Sequence, residues 1–290
     1  MKDKFVVFHI DGGIGKNIIA TAVVRALFKF YEDRKIIVVT AHEDFWLHNP
    51  YVFRCYRHGQ LTYFYDSYVK DCDTIFLSHD PYRDNEFIKQ SMHLSEVWCK
   101  MFNIPFDGPE PEVYFNPLEL MHMEATYNFK DPFIIIQPYG GINKQPYSWT
   151  RDIPAENSLD IVNHYKRSGV RVLQLKSDTQ PLLPGAEALT IPLRHVSMFL
   201  MKSKANYLID SFAQHLSAAL FVQSKVFWIA NTPAVFGHTI NENITVELQE
   251  SLDTKKYSYI IGYDAIAGNI NEFPYNSTKL FDSESILGLK

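Results

Sequence analysis

Apolar and polar positions along the chain fall into two regular stretches separated by an irregular one. Phe5–Ile10 is a near-continuous apolar run, the pattern of a strand covered on both faces. Asp11-Gly12-Gly13-Ile14-Gly15 follows as a tight turn. From about Lys16 to Tyr31, Ile19, Val23, Ala26, Leu27 and Phe30 recur at helical spacing. Lys35–Val39 and Thr74–Ser78 read as further strands. Val52–Cys55 and Leu61–Phe64 read as short strands in the aromatic-rich connection between them. One helix is expected over Glu86–Phe102.

Residues 103–117 hold four prolines and one glycine, which predicts a linker or an edge excursion. A helix over Pro117–Asn128 ends at Lys130-Asp131-Pro132. The alternation then restarts, with strands at Phe133–Gln137, Val170–Leu175, Tyr207–Ile209 and Lys225–Ile229. Helices are expected over Pro154–Ser168, His195–Ser203 and from Ser211 onward. Beyond Asn243 the pattern weakens. Two α/β halves, each opening with strand, Gly-Gly turn and helix, predict two Rossmann-like domains facing a cleft. Domains are expected at 1–128 and 129–265, with 266–290 a C-terminal segment packing back on the first domain.

Composition narrows the class. Hydrophobic residues at 46% and aromatic ones at 14% supply packed cores and exclude a disordered chain. A net charge of −5 gives no overall attraction to nucleic acid or anionic membrane. Arg54, Arg57 and His58, and Lys166, Arg167 and Arg171, form local basic groups that read as solvated faces. Cys55, Cys72 and Cys99 lack CxxC spacing, which argues for a reducing compartment and against a zinc site or disulfide framework. The first ten residues read as a strand rather than a signal peptide, and no apolar stretch approaches a membrane span. A soluble, cytoplasmic protein is expected, so the sequons at Asn243 and Asn276 carry no weight.

The densest chemistry lies in Tyr207–Leu220. A short buried strand ends on Asp210, a helix begins at Ser211, and His215 follows one turn later. A carboxylate, a hydroxyl, an imidazole and unpaired helix N–H groups there suit a phosphorylated ligand. The same residues also read as an ordinary strand–helix junction with a polar cap. Strand ends elsewhere present Asp11, His42, His79 with Asp80, Gln137, Ser177 with Asp178, and Asn231, on the face where open α/β sheets bind ligands.

The glycine turn departs from the known nucleotide loops. A Walker A loop needs GxxxxGK and then Ser or Thr, but Ile10 and Asn17 stand at the first glycine and the hydroxyl. The variant loop KGGxGKT fits better, with Asp11 replacing Lys and Asn17 replacing Thr. Without the second cation and the magnesium ligand, an ATPase has little electrostatic basis. A dinucleotide fingerprint fails for want of its last glycine. Gly12, Gly13 and Gly15 serve either a tight turn or a ligand's close approach. Asp11 beside them is placed to act as a general base.

Taken together, the two halves resemble family 9 glycosyltransferases of the ADP-heptose:lipopolysaccharide heptosyltransferase type, which have the GT-B fold. The likeness rests on Gly12–Thr21 with Tyr31–Val39, on Ile134–Gly141, on Tyr147–Pro154, on Asp210–Leu220 and on Thr232–Gly237. Asp210–Leu220 is the most specific match, similar to a D-[ST]-G-x-x-H-x-A-A-A helix start. The resemblance covers roughly residues 4–40 and 133–240. It implies transfer of a sugar from a nucleotide-diphosphate donor to an acceptor hydroxyl, inverting and metal-independent, with a saccharide acceptor and no cofactor. The first domain would take the acceptor and the second the donor.

Carried over, the resemblance implies that Asp210, Ser211 and His215 contact the donor. Gly140 and Gly141, with Lys144 or Arg151, would meet its phosphates. Asp11 is the candidate base, and Gly12, Gly13, His42, His79, Asp80 and Arg83 are acceptor-side candidates. Two departures stand out: Lys16 occupies the family's acidic position and Phe212 its glycine. They motivate a non-catalytic sugar- or nucleotide-binding relative as a second reading. A third is a glycosyltransferase of hydroxymethylated DNA bases, with Arg54, Arg57, Lys70 and Arg83 on phosphate. The ATPase is a fourth.

Overall fold

A computed structural model describes residues 2–127, 129–140, 151–229, 231–246 and 279–289. The chain divides into two compact units, Met1–Leu120 and Met121–Lys290.

The first unit is built on a four-stranded parallel sheet of order β3-β2-β1-β4. Its strands are β1 (Lys4–Ile10), β2 (Lys35–Thr40), β3 (Arg54–Arg57) and β4 (Asp73–Leu77). Alternation along β1 divides its side chains between two cores. Val6, Phe8 and Ile10 pack with Ala20, Val23, Val24 and Leu27 of α1 (Ile14–Phe30) and with Trp98 of α4 (Leu94–Met101). Phe5 and Val7 face the other way, onto Phe64 and Tyr68 of α2 (Phe64–Tyr68).

Two expectations in this unit change, and a third is narrowed. Leu61–Phe64 is not a strand: Tyr63 takes a left-handed conformation (φ 58°), and the helix α2 starts at once. Phe64 and Tyr68, four residues apart, then cover the sheet from one helical face. The helix expected over Glu86–Phe102 is two, α3 (Asn85–Ile88) and α4. Gln90 turns left-handed (φ 55°), Ser91 bonds the Glu86 carbonyl, and His93 restarts the helix by accepting from the Ser95 N–H. The proline-rich stretch is an excursion rather than a loose linker. The Arg25 guanidinium of α1 donates to Asp107 and to the Glu110 carbonyl, and Thr21 Oγ1 accepts from the Glu112 N–H. Helix α5 (Pro117–Thr126) follows.

The second unit holds a six-stranded parallel sheet of order β10-β9-β8-β5-β6-β7. Its central strands are β5 (Phe133–Ile136), β6 (Arg171–Leu175), β8 (Asn206–Ile209) and β9 (Lys225–Trp228). Short edge strands β7 (Glu187–Leu189) and β10 (Glu242–Thr245) complete it; neither was anticipated. The helices are α6 (Ala155–Arg167), α7 (Val196–Lys202), α8 (Phe212–Ala219), α9 (Pro233–Phe236) and α10 (Ser283–Ile286).

The described part of the C-terminal segment packs on this second unit. Phe281 stacks edge-on against Phe227, and Asn157 of α6 donates to the Phe281 carbonyl. The apolar contact explains the destination: Phe281 and Ile286 complete the core beneath α6.

Both sheets share one topological feature. In each, the chain runs outward from its first strand in one direction and then returns to that strand's other side. The reversal falls between β1 and β4 in the first unit and between β5 and β8 in the second. Crevices for ligands form at the carboxyl ends of strands at such reversals.

Candidate functional site

At the reversal in the second unit, β5 ends before Gln137 and the Gly140 turn, and β8 ends just before Asp210. Asp210 is buried, accepts from Asn231 Nδ2, and is also bonded by Gln214. Burial raises its carboxyl above the usual carboxylate range, opposed by the Arg151 charge and by the Asn231 and Gln214 bonds. Arg151 lies against the glycine turn: a Cβ placed on Gly140 would stand 3.7 Å from its Cζ and 3.0 Å from Ile209 Cδ1. The Gly140 N–H is held by the buried Asp152 carboxylate at 2.8 Å.

Helix α8 begins at the same point. Ser211 is its N-cap in extended conformation but makes no side-chain cap bond. Its hydroxyl instead accepts from Gln137 Nε2 at 3.1 Å. The first turn of α8 therefore presents backbone N–H groups that no cap side chain covers. Gln137 is itself buried, and its Oε1 has no hydrogen-bond partner among the described residues. Gly140, Arg151, Asp210 and Ser211 are thus brought together, with Gln137 added to them.

His215 is held within the second unit. It is buried, its Nδ1 is 2.9 Å from His238 Nε2, and its Nε2 is 3.3 Å from Gln214 Nε2. It joins α8 to the segment after α9. Gly141 and Lys144 lie outside the described residues.

At the reversal in the first unit, Gly12 has φ +100° and leads into α1, whose N-cap is Gly13. The Lys16 side chain is only 5% exposed and meets Asp80 Oδ1 at 2.8 Å. Its ammonium also lies over the rings of Tyr82 (4.6 Å) and Trp98 (5.5 Å). The cation of the glycine turn is therefore matched within the protein. Asp80 also accepts from the Tyr82 N–H, and the His79 carbonyl accepts from Trp98 Nε1. Arg83 is exposed on the short turn that follows. His42 is held below the usual histidine range by burial, offset by a bond to the Gly12 backbone.

Asp11 is exposed and stands between two histidines the sequence reading did not single out for it. His58 Nε2 is 3.6 Å from Asp11 Oδ1, and His9 Nδ1 is 3.9 Å from Asp11 Oδ2. The spacing of His9 and Asp11 places both on one side of the strand. Only the pairing of β2 with β3 brings His58 beside them.

No family model and no curated protein matches the chain. Solved structures do match in fold. A glycosyl transferase family 9 protein from Veillonella parvula DSM 2008 aligns over 99% of this chain and 96% of its own, at TM-score 0.69 and 13% identity. The dodecameric iron-containing heptosyltransferase TibC, in complex with ADP-D-beta-D-heptose, aligns over 87% of this chain and 64% of its own, at TM-score 0.62 and 12% identity. The E. coli ADP-heptose lps heptosyltransferase II aligns over 86% and 92%, at TM-score 0.57 and 12% identity. The chain thus has the α/β fold of these GT-B glycosyltransferases.

Proposed function

We propose that this protein is a glycosyltransferase that takes a sugar from a nucleotide-diphosphate donor. The observation that carries the reading is the convergence of Asp210, Arg151, Gly140 and the open start of α8 at the strand reversal of the second unit. A helix N-terminus and a guanidinium together neutralise a departing diphosphate without a metal ion. The unpartnered Gln137 carbonyl oxygen beside them suits a hydroxyl or N–H of the bound nucleotide. The fold shared with family 9 and heptosyltransferase structures supports the same assignment.

In this reading the donor phosphates contact the α8 start, Gly140 and Arg151, and Asp210 fixes that wall. His215, tied to His238, supports α8 from within. Asp11 takes the proton of the acceptor hydroxyl, which attacks the anomeric carbon as the diphosphate leaves, with inversion. The acceptor is a saccharide. Among the described residues no helix is long and apolar enough to cross a membrane.

A second reading keeps the nucleotide site and drops the chemistry, favoured by the burial of Lys16 against Asp80 where family 9 carries an acid. One experiment separates the two. Asp11→Asn is expected to abolish transfer from a nucleotide sugar while leaving donor binding intact. Unchanged turnover would remove Asp11 from the mechanism. Donor binding by the wild type without turnover on any saccharide would favour the binding protein.

A further inference from the structure

The carboxyl end of β1 carries a second constellation, separate from the nucleotide wall. We propose that His9, Asp11 and His58 bind one divalent first-row transition ion. One ligand atom from each lies within 4.8 Å of the other two. The centre of such a triangle is at most about 2.8 Å from each corner, so a closure of about 0.7 Å per ligand gives zinc-type bonds of ~2.1 Å.

The nearest separations are too long for direct hydrogen bonds and leave room for an ion. His58 to Asp11 is 3.6 Å and His9 to Asp11 is 3.9 Å. Both exceed the ~3.2 Å of a good hydrogen bond. The two distances end on different oxygens of Asp11, so the three groups lie close together without hydrogen-bonding one another. The two imidazole rings sit 4.5 Å apart, centroid to centroid, tilted by 54°.

The frame is rigid where it needs to be. His9 belongs to β1, paired on both sides by β2 and β4. His58 follows β3 directly, and its backbone N–H is anchored on the Thr40 carbonyl at 2.9 Å. Side-chain exposures of 38% for His9, 72% for Asp11 and 29% for His58 leave an entry path and open coordination positions. Two imidazoles and one carboxylate suit zinc, iron, cobalt or nickel better than magnesium or calcium, which prefer oxygen ligands. His58 Nε2 also lies 3.2 Å from the Ile10 carbonyl oxygen. An ion taking that nitrogen replaces this bond and has a further oxygen close by.

Asp11 then serves either the ion or an acceptor proton, not both at once. The test contains no nucleotide sugar, so it stands apart from the transfer reading. The chelator-stripped full chain is titrated with Zn²⁺ by calorimetry and with Co²⁺ by visible absorption. One ion per chain is expected, with nitrogen–oxygen Co²⁺ bands that Zn²⁺ displaces. His58→Ala, His9→Gln and Asp11→Asn are each expected to weaken binding at least ~100-fold, the upper range for losing even a ligand's supporting partner. Circular dichroism without metal checks each fold. Asp11→Asn alters an exposed side chain and reads the site even where a histidine variant unfolds. Absence of stoichiometric uptake, or uptake indifferent to these substitutions in folded protein, overturns the proposal.

Discussion

The two units carry the same device, a parallel sheet that reverses its winding beside a glycine turn, and use it in opposite ways. In the first unit the cation of the turn, Lys16, is buried against Asp80 and two aromatic rings. In the second, Arg151 borders the turn and the helix start at Ser211 has no side-chain cap. Under the proposed function, a phosphate at the first turn would meet a charge already neutralised, and one at the second a guanidinium and open backbone donors. In sequence, Gly12-Gly13-Ile14-Gly15-Lys16 looks like a phosphate loop at first sight, although Ile10 and Asn17 stand where such a loop needs glycine and a hydroxyl. The contacts favour the second.

That contrast can be broken from the first unit most sharply. Asp80→Asn leaves the Lys16 ammonium buried without its counter-ion and is expected to cost about 3 kcal/mol, read by chemical denaturation. The Tyr82 and Trp98 rings offset part of the loss. A change under about 0.5 kcal/mol would mean that Lys16 turns to solvent, reopening it to phosphate. Gly12→Ala is next, at about 1–2 kcal/mol, because φ is +100° and the new Cβ meets Lys16 Cδ at 3.0 Å.

The second unit should respond in binding more than in stability. Gly140→Ala brings its Cβ to 3.0 Å from Ile209 Cδ1, a flexible side-chain end, so a cost below about 1 kcal/mol is expected. Nucleoside diphosphate affinity, measured by calorimetry, is expected to fall about tenfold, equivalent to about 1.4 kcal/mol. Stability lost without affinity would move the ligand away from this turn.

The last effect is a pH slope. Asp210 has a folded-state pKa raised by burial, so the folded form holds its proton more tightly than the unfolded chain does. Its contribution to stability is full below the unfolded pKa and is lost as pH rises through the folded one. Denaturation midpoints across that window are expected to fall with pH in the wild type and to flatten in Asp210→Asn. An unaltered slope would mean that Arg151 holds the carboxylate ionised.

What was legible in the sequence follows from covalent distance. β1, β2, β5, β6, β8 and β9 announce themselves because strands covered on both faces are apolar throughout. Asp210 and Ser211 adjoin in sequence, so their junction could be read directly. Lys16 and Asp80 are 64 residues apart, and nothing local links them. His58 joins Asp11 only through the register of β3, which the aromatic-rich connection obscures. β7 and β10 are exposed edge strands of three and four residues, without the buried apolar run that marks the equally short β5 and β8. Tyr63 and Gln90 hide their left-handed turns because neither is the glycine that usually marks one.

The most direct test is thermal stabilisation by ADP, UDP, GDP and CDP without metal, set against ATP with magnesium, in the wild type, Arg151→Ala and Lys16→Ala. Binding to the folded state alone raises the midpoint with occupancy. The account predicts a metal-independent shift with one diphosphate, lost in Arg151→Ala and kept in Lys16→Ala. A shift that needs magnesium and ATP, kept in Arg151→Ala and lost in Lys16→Ala, would contradict it and return the phosphate site to the first unit.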